Sequence, residues 1–375
     1  MNRRLTIGVL LIAGWILGAL PVHGADGVRR DAAGKDSGMP ATPVETEGVD
    51  ASQAVFDHFR QAGALMAEGR DRQALQHANK ALGLGIAALG KDDPRLAPLH
   101  NEVGVLLHRL GRHAEAAAHL ETALALKSRQ YPPGDPRLSL AMNNLASAYA
   151  AQDRLVDAAR LQREALAIDR QAHGHDAPAV AGDLNNLAAI LQRQGKLDEA
   201  GEMFRQALAI HEDLDDADHR RLAGLCNNIA LTEKLQGRFD AAIVYYRRAL
   251  DHLFAMGDAG FPDLGLIVGN LAMLQRDTGD TAEAEASFRK ALLTYRRHPG
   301  NRPAEMAMVI NGYASLLRDR YRYAEAAELF EKVRSSLTES LGPDHTIIAA
   351  IENNMGELAL ARDDLGGARI HLPRA

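Results

Sequence analysis

Asparagine is the residue type whose spacing stands out in this chain. The pairs Asn143-Asn144, Asn185-Asn186 and Asn227-Asn228 succeed one another every 42 residues, and Asn353-Asn354 falls in the same register. Asn101, Asn270 and Asn311 hold single positions on that ladder. A carboxamide carries hydrogen-bond donors and an acceptor on one group. A row of carboxamides can therefore hold a peptide by its backbone without reading its side chains. Seven residues after the first Asn position, two helical turns along one face, stand His108, Ala150, Gln192, Lys234, Arg276 and Arg318, with Arg193 next to Gln192. This line becomes basic toward its C-terminal half, and that favours an acidic ligand. Asp277 and Asp319 directly follow Arg276 and Arg318 and would neutralise part of the charge.

The other reactive residue types form no constellation. There is no Gly-x-Ser-x-Gly elbow, no phosphate-binding Gly-rich loop and no His-Glu-x-x-His. The fifteen histidines are scattered. The loop from His211 to His219 is acidic, yet it lacks the glycine and ligand spacing of an EF-hand calcium loop, so it reads as a solvated loop. A single cysteine, Cys226, excludes an intrachain disulfide and a Cys-based zinc cluster. It is expected to pack as a small buried hydrophobe. A net charge of −6 without a basic block argues against nucleic acid as a partner. The expectation is a binding protein rather than an enzyme, with no cofactor and no metal.

The elements that must carry the asparagines are helices. Apolar residues make up 46% of the 375 residues but aromatic ones only 5%, so the core must be built from Ala and Leu. At the same period of 42 run Ala74, Ala116, Ala158, Ala200, Ala242, Ala284, Ala326 and Ala368. Four residues on come Leu120, Phe204, Tyr246, Phe288, Phe330 and Leu372, from which Ala78 and Gln162 depart. Three further on come Ala81, Ala123, Ala165, Ala207, Ala249 and Ala291, with Val333 and Ala375. Small, large and small at offsets of four and three mark one face of a helix. Between the Asn positions and this helix, Gly69, Gly111, Gly195, Gly237 and Gly279 share one place, as glycine does just past a helix end. Asp153 and Asp363 suit that place, whereas Tyr321 predicts strain or a reshaped turn. Each unit is thus helix A, tight turn, helix B and a longer loop. Breakers mark the loops at Pro132-Pro133-Gly134-Asp135-Pro136, His173-Gly174-His175-Asp176 and Gly342-Pro343-Asp344-His345.

The order Gly104, Ala116, Leu120, Ala123 resembles the tetratricopeptide repeat pattern. The 42-residue length, the Asn-Asn-Leu-Ala core and the loop Leu341-Gly342-Pro343-Asp344-His345 are similar to the kinesin light chain subclass. The resemblance covers about residues 55–375. It implies an all-α, right-handed superhelical solenoid of antiparallel helix pairs, with a concave groove lined by the A helices that holds a protein or peptide segment. By position it turns Asn143, Asn185, Asn227, Asn311 and Asn353 to that groove, with Asn144, Asn186, Asn228, Asn270 and Asn354 beside them. Arg193, Lys234, Arg276 and Arg318 share the inner surface on the same ground. The competing possibility is that one Asn of each pair bonds the neighbouring repeat. About eight repeats would fill residues 51–375, the last of them incomplete at Pro373-Arg374-Ala375 without a polar capping helix. The expected function is that of an interaction adaptor or scaffold. The alternative is an envelope assembly protein that self-associates through its last repeat.

The N-terminus reads as an address. Two arginines within Met1–Arg4 precede the uncharged run Leu5–Leu20, followed by Pro21 and the small residues Gly24 and Ala25. That is the layout of a secretory signal peptide, here 1–24, with cleavage expected after Gly24 and an uncleaved membrane anchor as the competing reading. Sixteen apolar residues fall short of the roughly 20 needed to span a bilayer. Export to a bacterial periplasm or beyond is expected. Residues 25–50, rich in Gly, Pro, Asp, Glu and Ala, are expected to form a disordered tether.

Overall fold

The computed structural model describes residues 46–214, 218–297, 303–343 and 346–372. The expected signal segment and residues 25–45 of the expected tether lie outside the described residues. Among the described residues the chain forms sixteen α-helices and no strand, in line with the all-α expectation.

The A helices are α1 (Thr46–Ala67), α3 (Ala97–Arg109), α5 (Ser139–Ala151), α7 (Pro178–Arg193), α9 (His219–Leu235), α11 (Phe261–Thr278), α13 (Pro303–Asp319) and α15 (Thr346–Ala361). Each is followed by its B helix: α2 (Asp71–Leu89), α4 (His113–Gln130), α6 (Leu155–His173), α8 (Leu197–Glu212), α10 (Phe239–Ala255), α12 (Thr281–Arg297), α14 (Tyr323–Leu341) and α16 (Leu365–His371). Among the described residues the helices group into two compact units that divide between Ile210 and His211. The first unit stacks α1 through most of α8. The second runs from the last residues of α8 through α16.

Helix α1 begins at Thr46, so 46–50 are helical although the composition of 25–50 predicts a tether. Once a packed helix exists, each added residue costs little and gains a hydrogen bond.

One turn closes every pair. Gly111 N–H donates to the His108 carbonyl at 3.0 Å and Arg112 N–H to the Leu107 carbonyl at 2.9 Å. This double closure of a helix end, the Schellman motif, repeats at Gly69, Asp153, Gly195, Gly237, Gly279, Tyr321 and Asp363. All have positive φ, from 59° to 90°. Tyr321 does not reshape its turn: it adopts φ 59° with the same two bonds, from Tyr321 N–H to Arg318 and from Arg322 N–H to Leu317. The strain stays in its backbone, while its side chain is exposed and meets Tyr323 edge-on.

The helix pairs close through the small residues foreseen. From Ala74 to Ala326 the first alanine ladder is fully buried, and so are Ala81 through Ala291. Leu120, Phe204, Tyr246, Phe288 and Phe330 fill the space between them. A Cβ added at Gly104 would meet Leu120 Cγ at 2.6 Å, so the small position is demanded by contact. Only the last pair is looser, with Leu372 partly exposed. Before α3 and α5, Asp93 and Asp135 accept from the backbone N–H of Arg95 and Arg137 at 2.9 and 3.0 Å. The two guanidiniums return to the same carboxylates, which are held down at about 2.

Candidate binding face

The asparagines lie on successive A helices, and three of the second-position residues turn their amides toward the preceding A helix. In the first unit, Asn144 Nδ2 donates to Asn101 Oδ1 at 2.9 Å. In the second, Asn270 Nδ2 donates to Asn227 Oδ1 at 2.9 Å and Asn354 Nδ2 to Asn311 Oδ1 at 2.8 Å. These bonds clasp neighbouring repeats, the competing role noted for one member of each pair. Asn185, Asn227, Asn228 and Asn270 are buried, which narrows the expectation that the whole ladder faces a ligand. They sit where helix packs on helix, and closure there takes precedence over exposure. Asn143, Asn144, Asn186, Asn311, Asn353 and Asn354 remain half-buried. A clasp uses one donor or one acceptor and leaves the rest of each amide available. In α11 the ladder breaks at Gly269, because a Cβ there would meet Val309 Cγ2 at 2.4 Å.

The basic line is largely bonded within the protein. Arg193 donates to the Ala150 carbonyl at 2.7 Å, at the end of α5, and pairs with Asp153 at 3.3 Å. Lys234 reaches across to Asp277 at 2.9 Å, and Arg276 holds the same carboxylate at 2.8 Å. Burial pushes the Asp277 carboxyl up, but the two cations outweigh it and hold it below the usual range. Arg318 makes the loosest pair, with Asp319 at 3.7 Å. The pairing of Arg276 and Arg318 was legible from the adjacent aspartates. The reach of Lys234 and the capping of α5 by Arg193 were not.

A buried polar cluster in the first unit escaped sequence reasoning, apart from Gln162 as a departure from the large-apolar ladder. Gln162 Nε2 donates to Asn143 Oδ1 at 2.8 Å and to Asp183 Oδ1 at 3.1 Å. Asn143 Nδ2 donates to the same Asp183 oxygen at 2.6 Å. Burial pushes the Asp183 carboxyl well above the usual range against these amide bonds, and the neighbouring Asp169 adds to the rise. Asp183 Oδ2 and Gln162 Oε1 are buried without a partner. Glu102, also buried with an unpartnered oxygen, is raised to about 7 by desolvation. It takes the second-position place in α3, where α1 offers Phe59 instead of an asparagine. Position 183 is apolar elsewhere on the 42-residue ladder, at Leu225 and Ile267, and that departure is the signal that could have found the cluster.

Cys226 is fully buried and its thiol is pushed up to about 11, as suits a small core hydrophobe. Of the acidic loop, 215–217 lie outside the described residues. Among the described residues no group of three or more His, Cys, Asp or Glu could hold a metal ion. No described helix is long and apolar enough to cross a membrane.

Family models described as tetratricopeptide repeat match residues 54–129, 137–212, 182–253 and 305–375, and a second model of that description matches 268–301. Among curated proteins none matches. A tetratricopeptide repeat protein from Parabacteroides merdae superposes with a TM-score of 0.54 at 17% identity, covering 83% of this chain and 99% of that one. BtubC (BKLC) from P. vanneervenii gives a TM-score of 0.48 at 25% identity, over 58% of this chain and 94% of that one. The nearly identical TPR-like repeats named after a kinesin light chain of Podosopora anserina give 0.48 at 18% identity, over 56% of this chain and 98% of theirs.

Proposed function

The chain belongs to the tetratricopeptide repeat family, and on that premise we propose that it is an adaptor that binds a peptide or protein segment along the A-helix face. Repeats of this family generally mediate protein–protein interaction and are typically non-enzymatic scaffolds. The observation that supports this reading is the set of half-buried amides on the A helices of each unit, at Asn144 and Asn186 in the first and at Asn311, Asn353 and Asn354 in the second. Each keeps unspent hydrogen-bonding capacity that matches a peptide backbone. Asn186 and Asn353 form no clasp with a neighbouring A helix among the described bonds, so they are the best probes of recognition. An acidic segment must compete with Asp277 for Lys234 and Arg276, which leaves Arg318 as the more available cation.

The N-terminal layout of Arg3-Arg4 and the uncharged run Leu5–Leu20 supports action in the periplasm or outside the cell. N-terminal sequencing of the mature protein checks this, with Ala25 expected first. A start at Met1 in a soluble cytoplasmic fraction overturns it.

Random peptides selected by display on the full chain test the adaptor reading. Titration of selected peptides against Asn186→Ala and Asn353→Ala should show about tenfold weaker binding for at least one variant, the scale of one lost hydrogen bond with a partner left unpaired. Circular dichroism should be unchanged. Undiminished binding to both variants overturns the A-helix face as the site. A second reading, self-association through the last repeat, is supported by the exposed Leu365 and Ile370 on α16. A concentration-independent monomer in sedimentation overturns that alternative.

A further inference from the structure

Eight of the fifteen histidines stand in four pairs. Two of these pairs join α3 to α4. His100 Nδ1 lies 3.1 Å from His119 Nδ1, and His108 Nδ1 lies 3.3 Å from His113 Nδ1. The ring centroids are 5.2 and 5.0 Å apart. One repeat earlier His58 and His77 meet in the same way as His100 and His119, between α1 and α2 at 3.0 Å. At those two ladder positions the next three repeats carry Met142 and Leu161, Leu184 and Met203, and Cys226 and Tyr245. The fourth pair, His219–His252, is exposed, so water screens its charge. All four histidines of α3 and α4 are half-buried. None of their side chains makes another hydrogen bond or ion pair among the described residues.

We propose that the α3–α4 helix pair opens in mild acid, because each of its two His–His contacts holds one extra proton but not two. In the neutral contact one Nδ1–H donates to the other Nδ1. A first proton enters at the bare Nε2 of the donor ring and leaves that bond in place. A second must land on the accepting Nδ1, which ends the bond and sets two cations side by side. Half-buried like charges at that separation repel with less water to screen them. Burial pushes all four imidazoles below the ordinary histidine value, and the facing ring adds to this at His100 and His108. Glu115, one turn before His119 on α4, works against the fall at His119, but Arg112 holds its carboxylate through two bonds of 2.7 Å. Asp71 of α2 holds Arg109 beside His108, and Tyr149 of α5 donates to Glu121 of α4. Glu102, buried on α3 and raised by desolvation, has the opposite sense. A histidine lowered in the fold stabilises above the ordinary value of about 6.5, and that stabilisation is lost as pH falls through the folded value. A repeat held by its neighbours then opens locally, and Asn101 on α3 releases the clasp with Asn144.

Hydrogen exchange of the full chain tests this between about pH 7.5 and about pH 5, with intrinsic rates corrected. Protection in α3 and α4 should fall on acidification, by up to about tenfold per pH unit for each proton taken up. Helices α6 and α7 should hold theirs. The substitutions His100→Leu, His119→Met, His108→Gln and His113→Leu together copy Leu184, Met203, Gln192 and Leu197 of a later repeat. That variant should flatten the loss in α3 and α4. If it does not fold, His119→Met and His113→Leu made singly each leave one imidazole unopposed, and each should shrink the loss. A wild-type α3–α4 pair indifferent to this pH range overturns the proposal. So does an equal loss in α6 and α7, or a loss that the substitutions leave unchanged.

Discussion

The Asn144 side chain donates to Asn101 Oδ1 at 2.9 Å, joining two A helices that are one repeat apart. The same bond joins Asn270 to Asn227 and Asn354 to Asn311 in the second unit. A residue pair that looks like a ligand-binding signature is thus also a fastening of the fold. The two roles separate by position: a clasped amide is tested by stability, an unclasped one by binding.

Asn144→Ala should lower stability by about 1–2 kcal/mol, because it removes a hydrogen bond and leaves Asn101 Oδ1 unpaired. Asn270→Ala should cost at least as much, since Asn270 and Asn227 are both buried. Urea unfolding followed by circular dichroism measures both. A double-mutant cycle between positions 101 and 144 should return a coupling of about 1 kcal/mol. Additive losses would show that the pair does not act as a clasp.

Tyr321→Gly should stabilise the chain by about 1 kcal/mol. Tyrosine at φ 59° meets the left-handed penalty, which glycine avoids. The lost side chain is exposed, so little packing goes with it. A raised melting temperature is the expected result.

Gly104→Ala should destabilise by about 1–3 kcal/mol through overpacking. Its new Cβ would lie 2.6 Å from Leu120 Cγ and 3.2 Å from the Ala116 carbonyl oxygen. Gly63→Ala, inside α1, should be neutral or stabilising by up to about 1 kcal/mol. The nearest atom to its Cβ would be Glu102 Oε1 at 3.9 Å, an ordinary contact. The contrast is read from paired melting curves.

Glu102→Gln should remove part of the pH dependence of the first unit. Desolvation raises this carboxyl to about 7, so its neutral form is favoured in the fold. The stabilisation is present below the ordinary carboxylate range and is lost as pH rises through about 7. The variant should match the wild type at about pH 5 and exceed it at about pH 8.5. Thermal melts at the two pH values check this, and a larger advantage in acid would contradict it.

The repeat architecture was readable because its causes are local and periodic. Ala116, Leu120 and Ala123 announce one helix face, and Gly111 announces the turn before it, from spacing alone. The Tyr321 turn kept its shape because the helices on either side impose its two closing bonds, and these outweigh one residue's backbone preference.

Spacing also placed the asparagines on one face of successive helices. Which partner each amide would choose was decided by distances across the stack, where Asn101 and Asn144 meet although 43 residues separate them. Asn143, Gln162 and Asp183 form no motif and come together only when α5, α6 and α7 pack. A periodic pattern specifies which residues face inward. Hydrogen-bond partners, counter-charges and the cost of leaving a buried oxygen unpaired depend on separations of a few ångströms between segments far apart in the chain. Those separations exist only once the helices are stacked.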